Sequence, residues 1–236
     1  MTTATGIGPI TRPEARVLAE AETARMVTLL GDLSPDEWAR PTDCPGWDVR
    51  AMAGHVLGMT EGFTGLRRMA AMFRAGGKLA ANGPLIDGVT AYQVAANDRL
   101  STGELVARMA AAGPRQARWR TERPLLRRMP MKNQYPDGTV ETWTMGYVFE
   151  VILTRDTWMH RVDVAQATGR ALDLSPAHDG RIVADVVAEW ARRHGKPFTL
   201  DLTGPAVELT CDAVEFCRTL AGRAPGSGLL AQHVPF

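Results

Sequence analysis

In the first 170 residues, four separate stretches repeat their apolar side chains every third or fourth position, and this period constrains the fold more than any other feature. The first, 13–30, carries Val17, Leu18, Ala21, Ala24, Met26, Val27 and Leu30, with Gly31 as its stop. The second starts near Asp48, carries Val49, Met52, Val56, Met59, Phe63 and Leu66, and extends to about Phe73. The third begins after Ser101, where Glu104 completes a capping box, and turns Leu105, Met109 and Ala112 inward; Pro114 is its potential break, and the stretch after it to Trp119 its potential continuation. The fourth runs from near Thr142 to Gly169. Four long amphipathic helices bury their stripes against one another, so residues 1–170 are expected to form a four-helix bundle with a long crossover between the second and third helices. Between them, 75–88 is Gly-rich and polar and reads as a loop, and 123–141 reads as irregular, turning at Pro136, Asp137 and Gly138.

The period changes after residue 170. Ser175 with Pro176 reads as a helix start, and Ile182, Val183, Val186, Val187 and Trp190 form its stripe. "PFTLDLTG" and "AVELT" alternate like two short strands about a Gly204-Pro205 turn, and Asp212 with Glu215 opens a last helix. Residues 171–236 are therefore expected to form a small α/β appendage to a mainly α protein. The formal net charge of +1 gives no pull toward nucleic acid or an anionic membrane. No apolar run is long enough to span a bilayer, and "MTTATGIGPITRPEA" has neither the basic start nor the apolar core of a secretory signal, so a cytoplasmic location is expected. The three cysteines, Cys44, Cys211 and Cys217, form no C-x-x-C pair and read as reduced thiols. The arginines at 115, 118, 120, 123, 127 and 128 read as a solvated face rather than a nucleic-acid patch.

One face of the fourth helix admits a structural reading, which the spacing alone favours, and a functional one. Phe149, Ile152, Leu153, Asp156, Met159, His160 and Asp163 share one side, so a carboxylate and an imidazole four residues apart stand on the core-facing stripe. An ionised Asp in a bundle interior is costly unless something positive meets it. A helix salt bridge is one answer. A divalent metal is another, and His55, on or beside the inner stripe of the second helix, would be its third ligand. Two imidazoles and one carboxylate leave coordination positions open, as catalytic sites need.

The stretches "WARPTDCPGWDVRAMAGHVLGM" (38–59) and "RDTWMHRVDVAQATGR" (155–170) resemble the mycothiol-dependent maleylpyruvate isomerase family, and "DAVEFCRTLAGRAPGSGLLAQHVPF" resembles its C-terminal end. The resemblance implies a DinB-like bundle in which His55, Asp156 and His160 hold a divalent metal, zinc by default, with mycothiol as cosubstrate. It departs from the isomerase members at Asp156, where they carry Glu; the shorter Asp would draw the metal nearer its helix. Asp163 is then expected to orient His160 from behind, or else to be a solvent-facing helix-end charge. Arg223 is the candidate contact for an anionic substrate, or else only a cation at a helix C-terminus. The implied function is a metal-dependent, thiol-using transferase or isomerase acting on a small electrophile. The alternatives are a non-catalytic or regulatory metal-binding relative and, less well matched, an iron oxygenase, since nothing here resembles a cosubstrate-binding barrel. Trp47, in the Pro-Gly-Trp turn, is expected to plug the start of the second helix.

Overall fold

The computed structural model describes residues 7–135, 138–196, 202–203 and 211–236. The helical part opens with α1 (Arg12–Gly31). α2 (Val49–Gly62) starts at Asp48, whose carboxylate accepts the Ala51 N–H at 2.7 Å. α3 (Leu66–Ala80) and α4 (Leu85–Asn97) follow, and the Ser101–Glu104 capping box opens α5 (Thr102–Thr121). Strands β1 (Pro130–Gln134) and β2 (Val140–Thr144) pair antiparallel, with Pro130 opposite Thr144. A short α6 (Met145–Tyr147), a π-helical turn (Val148–Ile152) and α7 (Leu153–Thr168) then follow one another directly. α1 packs against α5 and α7, and α2 packs against the same two, which closes a DinB-like four-helix bundle. Met26, Leu30, Met52, Val56, Phe63, Leu105, Met109 and Phe149 fill its core.

The crossover between α2 and α5 differs from the sequence expectation. The second helix is two helices, broken at 63–65, and Leu66, expected inside, begins α3 more than half exposed. The stretch 75–88, expected as a loop, is mostly helix and forms the contact between α3 and α4. Gly83 does sit in the turn between the two helices, but Gly76 and Gly88 do not mark turns. A Cβ on Gly88 would collide with the Gly76 carbonyl oxygen and lie 2.7 Å from Ala80 Cα, and one on Gly76 would lie 2.6 Å from Val89 Cα. Both glycines let two helix backbones touch, and α4 in turn packs on α2. Gly88→Ala is accordingly expected to cost about 3 kcal/mol in urea unfolding, because backbone must move to admit the methyl group. An exposed glycine such as Gly103, whose Cβ would meet nothing within 4 Å, supplies the control.

Two other boundaries move. The fourth helix begins at Met145, not near Thr142, because "VETWT" is a strand and Thr144 caps the helix by accepting the Tyr147 N–H at 3.1 Å. Pro114 does not break α5; Ala110, whose carbonyl loses its helical donor there, is exposed, so water can take the bond. On α1, Val17 and Ala24 face outward, and the buried face instead holds Glu22, which accepts from Arg161 at 2.6 and 3.1 Å.

By its internal contacts the chain divides into two compact units, Arg12–Thr168 and a second made of Met1–Thr11 with Gly169–Phe236. In the second, α8 (Asp179–His194) buries Ile182, Val183, Val186 and Trp190. It starts four residues later than Ser175, whose N–H instead meets the Asp179 carboxylate at 2.7 Å. β3 (Leu202–Thr203) runs parallel to β4 (Cys211–Asp212). Asp212 caps α9 (Ala213–Leu220) by accepting from Val214 N and Glu215 N at 2.7 and 3.3 Å. The expected Gly204-Pro205 turn, most of the two expected C-terminal strands, and Pro136 and Asp137 lie outside the described residues. Among the described residues no helix is long and apolar enough to cross a membrane.

Candidate metal centre

Because α2 and α7 are neighbours, His55 meets the Asp156 and His160 pair. His55 Nε2 lies 3.4 Å from Asp156 Oδ2, and His160 Nε2 lies 3.5 Å from Asp156 Oδ1. The two imidazoles stand edge to face, 5.0 Å apart, and one donor atom from each of the three residues lies within 4.8 Å of the others. Both separations from Asp156 exceed a good N–H···O bond and approach the roughly 3.3 Å edge of a tetrahedron built on bonds of about 2.0–2.1 Å. Both nitrogens of His55 and Oδ2 of Asp156 are buried without a hydrogen-bond partner. Such groups are costly to leave bare, and a cation bound beside His160 would satisfy His55 Nε2 and Asp156 Oδ2. The side chains of His55 and His160 are 8% and 7% exposed and that of Asp156 is 22%, so the cluster opens to solvent on the Asp156 side.

Behind His160 the polar chain continues. Its Nδ1 lies 3.1 Å from Asp163 Oδ2, and the Cys44 thiol donates to the same oxygen at 3.8 Å. Asp163 is fully buried, so the alternative of a solvent-facing helix-end charge does not describe it. Burial alone would lower the His160 imidazole, but the Asp156 charge and hydrogen bonds with Asp156, Asp163 and Cys44 hold it well above its usual value. Burial alone would raise Asp156, but the charges of His160 and His55 hold it well below the usual carboxylate range. A proton on His160 therefore stands, in the metal-free protein, in for part of the charge that a dication would bring.

The Pro-Gly-Trp turn positions the rest. Gly46 takes φ +80°, which an L side chain rarely adopts, and the loop is tied by Trp47 N to Cys44 O at 3.0 Å and Thr42 N to Trp47 O at 2.9 Å. This geometry lays the Trp47 ring 5.1 Å from the His55 ring and 6.1 Å from the His160 ring, centroid to centroid. Trp47 is thus a wall of the cluster as well as a plug. Trp47 also lines a cavity of about 430 Å³, with Asp48, Arg50, Gly54, Asn97 and Asp98.

In sequence Cys44 reads only as an ordinary reduced thiol. The signal that could have placed it was its position two residues before Gly46, in the turn that leads into the His55 helix. Arg120, read as part of a solvated face, is buried at 1% exposure and donates to Thr154 Oγ1. Arg127 pairs with Glu150, and Arg123 lies 5.6 Å over the Trp119 ring, so this arginine run is partly consumed inside the fold. Arg223 lies in the second unit, just after α9, where its Nη1 donates to Ala221 O at 3.3 Å.

Comparison with known proteins gives consistent results. The family model described as the mycothiol maleylpyruvate isomerase N-terminal domain matches residues 19–165. Among solved structures, the mycothiol-dependent maleylpyruvate isomerase is similar at TM-score 0.55 and 16% identity, covering 95% of this chain and 93% of that one. A mutant of that isomerase with a histidine replaced by alanine gives TM-score 0.54 at the same identity and coverage. At this identity the two likenesses establish the fold. No curated protein matches the chain.

Proposed function

Since the chain belongs to the mycothiol maleylpyruvate isomerase family, we propose that it is a thiol-dependent enzyme of the isomerase type, assisted by a divalent metal, with zinc the first candidate and mycothiol the cosubstrate. The observation that carries the metal is the set of unsatisfied donor atoms on His55 and Asp156, beside His160. When bound, such an ion favours the thiolate form of a thiol, which is the nucleophile.

The residues of this chain have separable roles in that reading. His55, Asp156 and His160 offer three ligands and leave a position open on the more exposed Asp156 side. Asp163 accepts from His160 Nδ1, which directs the Nε2 lone pair toward the ion. Trp47 screens the two imidazoles from one side. The cavity that Trp47 helps to line offers Asp48, Arg50, Asn97 and Asp98 to the hydroxyl-rich head of a sugar-bearing thiol. The sulfur adds to one carbon of an activated C=C bond and leaves a carbanion stabilised by the adjacent carbonyl. Rotation about the new single bond and expulsion of the thiolate return the thiol and the isomerised alkene. A transferase would stop at addition. Arg223 is retained as the candidate contact for the substrate's carboxylate.

The test is an assay of a cis-enoyl acid such as maleylpyruvate with catalytic thiol, before and after chelation and zinc readdition. Turnover is expected to need both zinc and thiol, and the thiol is expected to be regenerated. Stoichiometric zinc without thiol-dependent turnover across a varied electrophile panel would leave the binding-module alternative standing.

A further inference from the structure

His160 presents donors on both edges of its ring, and the edge facing away from Asp156 is also surrounded by ligand atoms. One ligand atom from each of His160, Asp163 and Cys44 lies within 4.8 Å of the others. The nitrogen–oxygen separation is 3.1 Å and the sulfur–oxygen separation is 3.8 Å. A tetrahedral ion with a sulfur bond of about 2.3 Å and nitrogen and oxygen bonds of about 2.0 Å requires roughly 3.3 and 3.5 Å for these edges. Each of these two edges lies within a few tenths of an ångström of that geometry. Its carboxylate is fully buried, while its thiol is half-buried and therefore reachable.

We propose that Cys44, Asp163 and His160 Nδ1 form a second cation site, selective for a thiophilic divalent ion, which shares His160 with the first site and excludes it. The donor sets differ in kind. The first has two imidazoles and a carboxylate, whereas the second replaces one imidazole with a sulfur ligand and so prefers softer ions. Exclusion follows from the shared ring. A neutral imidazole has one lone pair: ligation through Nε2 leaves the proton on Nδ1 facing Asp163, and ligation through Nδ1 leaves it on Nε2 facing Asp156. Filling the second site releases the Cys44 thiol proton and the Nδ1 proton, forms the sulfur–metal and nitrogen–metal bonds, and involves no change of oxidation state. A soft ion arriving first would thereby inactivate the first site without touching His55 or Asp156.

Cadmium is the probe. In His55→Ala, which disables the first site, one cadmium per chain is expected to bind with a thiolate-to-metal charge-transfer band. Adding Cys44→Ser to that variant is expected to remove the band and weaken cadmium at least tenfold; Asp163→Asn in place of Cys44→Ser is expected to weaken it without removing the thiol. In the wild type, saturating zinc is expected to suppress the band, and cadmium added first is expected to lower zinc occupancy. Circular dichroism of each variant separates loss of ligand from loss of fold. Absence of the band in folded His55→Ala overturns the proposal, as does its persistence with Cys44→Ser. These outcomes are independent of the first site's chemistry: a wild type that binds no zinc defeats that reading, while the cadmium band in His55→Ala is still measured.

Discussion

His55→Ala is expected to lose zinc binding while the metal-free protein keeps almost all its stability. The expectation follows from an asymmetry in the cluster. The His55 ring is buried, yet neither of its nitrogens has a hydrogen-bond partner, so in the metal-free fold its packing and its attraction to Asp156, 3.4 Å away, are offset by the cost of its bare polar atoms. Removing it deletes both terms, and the net change is expected to stay within about 1 kcal/mol. With metal the balance reverses. Structural zinc sites bind with roughly 10–16 kcal/mol over four ligands, so one ligand is worth on the order of 3 kcal/mol and its loss weakens binding by a factor of about 100 or more. Zinc at 100 times its wild-type Kd should raise the wild-type Tm by roughly 5–10 °C and leave that of His55→Ala almost unmoved. Differential scanning calorimetry with and without zinc, together with metal analysis, reads both quantities. Full zinc content in His55→Ala that persists when Cys44→Ser is added, so that the second site is also removed, sinks the assignment. A metal-free variant several kcal/mol less stable than wild type would instead make the ring a structural core residue.

The same asymmetry explains how far the site could be read in the sequence. The spacing of Asp156 and His160 fixes that they share a helix face, and the stripe of α2 puts His55 on or beside its inward side; meeting requires only that the two helices be neighbours, as they are. Periodicity describes one helix at a time, however, and is silent on what a face meets. Asp163 lies on the same stripe, but nothing in its spacing distinguishes a solvent-facing charge from one buried against His160. Cys44 reaches Asp163 from a loop 119 residues away, a contact with no local signature. Gly76 and Gly88 failed for a related reason. Glycine is read as a turn former from its conformational freedom, whereas here it is used for its missing side chain, which only the facing helix reveals. "VETWT" shows the reverse error: a real strand was absorbed into the helix that follows it, because its alternation lasts only five residues. The caps at Ser101 and Asp212 were legible because all their partners lie within three residues.

Zinc affinity is expected to fall about tenfold for each pH unit below the raised value of His160, down to the range where Asp156 also titrates. The sign follows from which groups must lose protons. His160 is held above its ordinary value of 6.5 chiefly by Asp156 against the effect of burial, so near neutrality its Nε2 carries a proton that the ion must displace. Each such proton costs a factor of ten in apparent affinity per pH unit, about 1.4 kcal/mol. Metal-free stability has the opposite slope. A raised folded-state value means that His160 contributes its full stabilisation below about pH 6.5 and loses it as pH rises through the raised value. Asp156, whose value is depressed from 3.8, contributes above that pH and loses its contribution as pH falls through the depressed value. The metal-free protein should therefore draw most from this cluster between about pH 4 and 6.5, and the zinc-induced rise in Tm should grow with pH up to the raised value of His160. Thermal unfolding at a series of pH values, with and without zinc, measures both slopes. His160→Gln keeps a neutral polar side chain and is expected to flatten the metal-free slope. A zinc-induced shift that does not change between pH 6 and 8 would mean that no proton leaves His160 on binding, and that the ion, if bound at all, is held elsewhere.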